Sequence, residues 1–251
     1  LPPDNSQAYV RTGDFYLATG QVAEAERFFQ QAVAVEPKNS GALYAVGRFY
    51  ADLAQVDSAM VYYRRALDAN AYRFDAQKQL VYLLLYKGEN DEAQKLLKEV
   101  LNRRPGDWDG LYFKGRLHLA QQQNRKAMES LDRLEAQINS YRFMPYAHDF
   151  SYYLGLAYFL NDDYVEAVRV LRRQLAFNSE EKRAFLLLSE ALMRAGDEEG
   201  ALEAAREAVL QVPGDERVTM LLGQSLLRSD SAAEVQQGLE LSLDSYNWTF
   251  A

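Results

Sequence analysis

The chain has 251 residues, of which 48% are apolar, 12% aromatic and 25% charged, the composition of a folded protein and not of a disordered or fibrous one. It contains no cysteine and only 2 histidines, which excludes disulfides, thiolate metal sites and cysteine nucleophiles and nearly closes off histidine-based metal sites and Ser-His-Asp chemistry. With 36 acidic against 28 basic residues the net charge is −8, and nucleic acid is disfavoured as a partner because a phosphate backbone selects basic surfaces.

In chain order, the small residues carry a period of 34 and divide the sequence into helix pairs, each a helix A followed by a helix B. The first repeat, 6–39, holds Tyr9, Gly13 and Tyr16 on its helix A and Ala25, Phe29 and Ala32 on its helix B, with Pro37 closing it. The second, 40–73, repeats this as Leu43, Val46, Gly47 and Tyr50, then Ala59, Tyr63 and Ala66. In the third, 74–107, the same places hold Leu80, Ala93, Leu97 and Pro105, and in the fourth, 108–141, Leu111, Gly115, Ala127 and Leu131. Six residues, 142–147, then interrupt the phase with Phe143, Pro145 and Tyr146 among them. Phe143 and Tyr146 are expected to pack at a seam between helix pairs, the alternative being a loop that leans over a groove. The phase resumes in the fifth repeat, 148–181, with Leu154, Gly155, Tyr158, Ala167 and Leu171, and in the sixth, 182–215, with Phe185, Leu188, Ala201, Ala205, Ala208 and Pro213. The seventh, 216–249, is degenerate: Leu222, Gly223, Leu226 and Leu239 fit, but Val235 replaces the alanine.

Small residues at fixed places let two helix backbones approach, and large residues around them fill the remaining space. Gly20, Gly88 and Gly196 are expected to end helix A, and Pro37, Pro105 and Pro213 helix B. Asp75, Asp109 and Asp149 fall in the first turn of helix A, where an acid favours the helix N-terminus. The doublets Asp162-Asp163 and Glu198-Glu199 read as solvated A-to-B turns. His118 reads as a packing residue and His148 as a local cap; no nucleotide-binding glycine motif, metal-ligand spacing or nucleophile-base pair occurs. No stretch reaches the apolar length of a membrane span.

These residues resemble the tetratricopeptide repeat (TPR) family. The resemblance covers nearly the whole chain and implies an all-α solenoid: a single array over 1–251, wound as a right-handed superhelix of antiparallel helix pairs. It also implies a concave groove lined by helix A at repeat positions 2, 5, 9, 12 and 13. Those positions hold Tyr44, Arg48, Lys78, Tyr82, Tyr86, Tyr112 and Arg116 in the middle of the chain, then Tyr152 and Phe159, and Arg183, Arg194, Arg217 and Arg228 towards its end. Tyrosine and arginine are the residue types that dominate binding hot spots. The family's lysine–asparagine clamp for a terminal carboxylate is not carried over, because Val10, Asp14, Tyr44 and Arg48 stand at those positions of the first two repeats.

The expected function is therefore a non-enzymatic scaffold that binds a protein or peptide segment in a Tyr/Arg-lined groove, with no cofactor and no metal. One alternative is a TPR module of a bacterial envelope or polysaccharide assembly system, with a glycan as partner. Another is the TPR portion of a larger enzyme whose catalytic domain lies outside this chain. The chain begins Leu1-Pro2-Pro3, which suggests processing or trimming. Absence of cysteine with 17 tyrosines leans towards the bacterial cell envelope, with the cytoplasm as the alternative.

Overall fold

The structure is a computed structural model that describes residues 5–140, 149–179 and 181–248. The insertion 142–147 and His148 lie outside the described residues. Among the described residues every regular element is an α-helix, and there are fourteen. In chain order they are α1 (Ser6–Ala18), α2 (Val22–Val35), α3 (Ser40–Asp52), α4 (Val56–Ala69), α5 (Phe74–Lys87), α6 (Asn90–Arg103) and α7 (Trp108–Ala120). There follow α8 (Asn124–Ser140), α9 (Phe150–Phe159), α10 (Tyr164–Phe177), α11 (Lys182–Ala195), α12 (Glu198–Gln211), α13 (Glu216–Leu226) and α14 (Ala232–Trp248). They fall into two compact units, 1–121 and 122–251. In the first, α1 pairs with α2, α3 with α4 and α5 with α6, while α7 packs on α5 and α6. In the second, α8 packs on α9, and the pairs are α9 with α10, α11 with α12 and α13 with α14.

The small-residue series is the place where paired helices meet. Ala25, Ala59, Ala93, Ala127 and Ala167 have no exposed surface, and Ala201 is 1% exposed. On helix A the facing small residue lies against a large helix B side chain sixteen positions on, so the contact repeats. A Cβ added at Gly13 would stand 3.1 Å from the Phe29 ring, at Gly47 2.6 Å from the Tyr63 ring, and at Gly155 2.7 Å from Leu171. Phe29, Tyr63 and Leu171 are fully buried, each contributing about 1.5–3 kcal/mol of apolar burial. Successive pairs are joined through the same layer: in the first unit the Phe29 and Phe49 rings lie 5.0 Å apart.

The helix ends show a second series. A residue one place before each helix A occupies its N-cap, and Asn5, Asn39, Asp107 and Asp215 each accept a backbone N–H of the first turn, at 2.8 to 3.2 Å. Asp75 and Asp109 lie in the first turn as expected, whereas Asp149 stands at the N-cap itself. The acidic doublets are not plain turn residues. Asp163 and Asp197 cap α10 and α12 by accepting the N–H of Glu166 and Gly200, and Glu198-Glu199 open α12.

Between helix A and helix B the chain turns through a left-handed residue. Gly20, Gly88 and Gly196 take it, with φ of 76° to 82°. At the same repeat position stand Ala54 (φ 56°), Gln122 (φ 58°) and Asp162 (φ 63°), whose Cβ atoms make that conformation unfavourable. Asp162 has a local compensation, since its carboxylate accepts the Tyr164 hydroxyl at 2.6 Å. Ala54 has none. Ala54→Gly is therefore expected to raise stability by about 0.5–1 kcal/mol, the relief of strain exceeding the added freedom of the unfolded chain. Asp162→Gly should gain less. Urea midpoints of the two variants test this ordering.

Candidate functional site

Helix A residues of successive pairs touch one another within each unit: α1 with α3 and α5 with α7 in the first, α9 with α11 and α11 with α13 in the second. In the first unit, Arg48 of α3 donates to Asp14 of α1, and Lys78 of α5 donates to Asp109 of α7, with Asp107 3.9 Å away. Burial opposes the charge on Lys78, but the hydrogen bond to Asp109 and the charges of Asp109, Asp107 and Asp75 together hold its pKa above the ordinary value.

The densest arrangement is built on α5 and α7. The Arg116 guanidinium carbon lies 5.4 Å from the centre of the Tyr82 ring and 5.5 Å from that of Tyr112, between two aromatic faces. Its N–H also donates to the Tyr112 hydroxyl at 3.4 Å. Tyr112 is only 6% exposed and serves as the wall of this arrangement, its ring 5.4 Å from Phe113. Tyr82 is 42% exposed, and Tyr86, one turn further on, is 69% exposed. The Tyr82 ring lies 6.4 Å from that of the buried Phe113. Tyr44 is half-buried beside Tyr63, with ring centres 5.7 Å apart, and burial, then the charge of Asp75, raises its pKa.

In the second unit Tyr152 is half-buried beneath Arg183, whose guanidinium carbon is 4.7 Å from the ring, and burial is the main cause of its raised pKa. Phe159 packs edge-on against Tyr164 at 5.6 Å. Arg183 donates to Glu181 at 2.7 Å and Arg194 to Glu190 at 3.1 Å, and each hydrogen bond raises the arginine's pKa. Arg217 and Arg228 are exposed and carry no ion pair among the described residues. Two of the four arginine charges are thus locally matched, by Glu181 and Glu190.

Among the described residues no group of three or more His, Asp or Glu is placed to hold a metal ion, and no helix is long and apolar enough to cross a membrane. Residues 16–81, 84–141 and 158–225 match the sequence profile of the tetratricopeptide repeat. The chain belongs to the tetratricopeptide repeat family. No curated protein matches it. Its fold is similar to that of the Cut9–Hcn1 hetero-tetramer of the APC/C, with a TM-score of 0.77 at 16% identity over 90% of this chain and 43% of that one. This TPR chain thus spans less than half of that protein. PilW, a type IV pilus biogenesis factor, gives 0.73 at 18% identity over 86% of this chain and 98% of its own. A tetratricopeptide repeat protein from Parabacteroides merdae gives 0.70 at 14% identity over 96% and 92%. These likenesses are likenesses of fold. Membership places the chain among protein-interaction scaffolds.

In TPR terms, Tyr82 and Arg116 stand at the same position of consecutive repeats, as do Asp14 and Arg48, so residues 34 apart in sequence meet in space. The residues that helix A positions do not reveal are Tyr72, Arg73, Phe74, Arg103 and Arg104 at a repeat junction, where each arginine rests on a ring. One signal could have found Arg73. It continues the N-cap series Asn5, Asn39, Asp107 at the 34-residue spacing, and alone among these four it is neither Asn nor Asp.

Proposed function

We propose that this chain is a non-catalytic scaffold that binds an extended segment of a protein partner on the helix A face, with Tyr82, Tyr86 and Arg116 as its main anchors in the first unit. The observation that supports this is the exposure of Tyr82 and Tyr86 beside an arginine already ordered between two rings. An aromatic ring has few rotatable bonds to immobilise, and an arginine fixed in advance loses little further freedom on binding. Tyr44, Arg48, Lys78 and Tyr112 frame those anchors. Tyr152, Phe159, Arg183, Arg194, Arg217 and Arg228 give the second unit its own helix A surface. The division into seven repeats at the boundaries read from the 34-residue phase is part of this reading.

The test is a titration of a partner purified from the source organism against single variants. Tyr82→Ala, Tyr86→Ala and Arg116→Ala are each expected to weaken binding about tenfold, or about 1.4 kcal/mol. Lys98→Ala, an exposed change on helix B of the third repeat, should leave it unchanged. Thermal midpoints of Tyr82→Ala and Tyr86→Ala should stay near that of the parent, because these rings are open to solvent. Unchanged affinity in all three helix A variants would reject the assignment.

A second reading, a module of bacterial envelope assembly, draws support from the likeness to the pilus biogenesis factor PilW, nearly all of which is covered. It concerns where the scaffold works and uses the same face.

A further inference from the structure

At the junction between the second and third repeats the N-cap of helix A is a cation, whereas α9 and α11, which also lack a side-chain cap bond, have the acids Asp149 and Glu181 there. Asn5, Asn39 and Asp107 cap their helices through side-chain oxygens, but Arg73 at the same place has no oxygen to offer, and α5 has no side-chain cap. A cation there also opposes the helix dipole. What Arg73 offers in place of a cap is a guanidinium laid on a ring. The Arg73 guanidinium lies 5.2 Å over the Tyr44 ring, close to Gly41, with Asp75 only at 3.7 Å and its Nε buried without a hydrogen-bond partner among the described residues.

Its two neighbours in sequence carry the pattern further. The Arg103 guanidinium carbon rests 4.3 Å from the centre of the Tyr72 ring, and Arg104 4.0 Å from that of Phe74. Tyr72, Arg73 and Phe74 are consecutive, so three guanidiniums gather at one repeat junction. Arg103 and Arg104 have no ion pair among the described residues, whereas Arg48, Arg64, Lys78 and Lys87 of the same unit all do. Tyr72 is 73% exposed, so it is not held there by the core. The cluster is also not a requirement of the repeat: Lys38 and Gly106 stand where Tyr72 stands, and Ser40 and Trp108 where Phe74 stands.

We propose that Tyr72, Arg73, Phe74, Arg103 and Arg104 form a docking surface for an acidic protein segment, held through its carboxylate side chains. An arginine ordered on a ring offers its N–H groups to a carboxylate at low entropic cost, in the geometry that makes bidentate pairs strong. In a chain of net charge −8 an acidic partner is repelled at long range, so the local cations supply the attraction. Carboxylates are favoured over a phosphate backbone because Asp75 lies 3.7 Å from Arg73, and Asp107 and Asp109 flank Lys78, whose ammonium is 5.7 Å from the centre of the Phe74 ring. Separate carboxylates can be matched between these acids; a densely charged backbone cannot. The surface adjoins the helix A face at Tyr44 and Lys78 but uses none of Tyr82, Tyr86 and Arg116, and it stands whether or not those anchors bind.

The experiment is a fluorescence anisotropy titration of the full chain into fluorescein-labelled octaglutamate, at about 50 and about 300 mM salt. Saturable binding that weakens at the higher salt is expected. Arg103→Ala combined with Arg104→Ala should weaken it about tenfold or more. Arg73→Asn should weaken it about threefold, yet raise the thermal midpoint by about 2–4 °C by restoring the cap, which separates loss of recognition from loss of folding. Lys98→Ala should bind octaglutamate as the parent does. No saturable binding by the parent, or a double variant that binds as tightly as the parent, would overturn the proposal. Tighter binding of single-stranded oligothymidylate, lost in the same double variant, would overturn the partner class in favour of phosphate.

Discussion

Tyr63→Ala is expected to cost about 3–5 kcal/mol, while Tyr63→Phe should be neutral or stabilising by up to about 1 kcal/mol. The two results would come from one side chain with opposite parts. Its ring is fully buried, sits against Gly47 and faces Tyr44, so its removal leaves a cavity at the meeting point of α3 and α4. Its hydroxyl is buried without a hydrogen-bond partner among the described residues, and burial drives its pKa strongly upward. A polar group desolvated and unmatched opposes folding. Phe29 occupies the same place in the preceding repeat with no hydroxyl at all. Urea unfolding of the two variants measures both differences; a loss of 2 kcal/mol or more in Tyr63→Phe would show that the hydroxyl finds a partner that offsets its burial.

Overpacking the same contact is expected to cost about 1–3 kcal/mol in each of Ala59→Leu and Gly47→Ala. Ala59 has no exposed surface, and a Cβ at Gly47 would lie 2.6 Å from the Tyr63 ring, closer than any carbon contact tolerates. The ring is enclosed, so it cannot swing into solvent to make room. Because Gly47 and Tyr63 are in direct contact, trimming the ring should relieve the glycine variant: Gly47→Ala with Tyr63→Leu should be less destabilised than the sum of the two single changes. Simple additivity would place the strain elsewhere.

The helix pairing was legible in the sequence because the small residues that allow close approach are few and cannot be replaced freely. Gly13, Gly47 and Gly155 each face a specific large side chain, and Ala25 to Ala201 mark the same contact in six repeats. The A-to-B turn was only half legible. Gly20, Gly88 and Gly196 announce it, but Ala54, Gln122 and Asp162 adopt the same left-handed conformation with residues that carry no such signal. There the packing of the flanking helices imposes the turn on the local sequence. At the site, the 34-residue register brings Tyr82 to Arg116 and Arg48 to Asp14, which positional reading can anticipate. What such reading misses is who neutralises whom. Lys78 meets Asp109 three residues out of register, and Arg183 meets Glu181 across a helix start, since long side chains reach beyond their own position. Tyr112 shows the converse, standing at a groove position and yet nearly buried, because Arg116 and Phe113 close around it. Arg73 was hidden because the cap position lies outside the helix A face that the repeat pattern marks.

Site-specific photo-crosslinking in the source cells shows directly whether partners dock on the helix A face. Benzoylphenylalanine would replace Tyr86, 69% exposed on α5, in one strain and Val61, 52% exposed on α4, in another. A discrete crosslinked adduct is expected from position 86, lost when Arg116→Ala is added, and none from position 61. The same adduct from position 61, with none from position 86, would place docking on the helix B face instead.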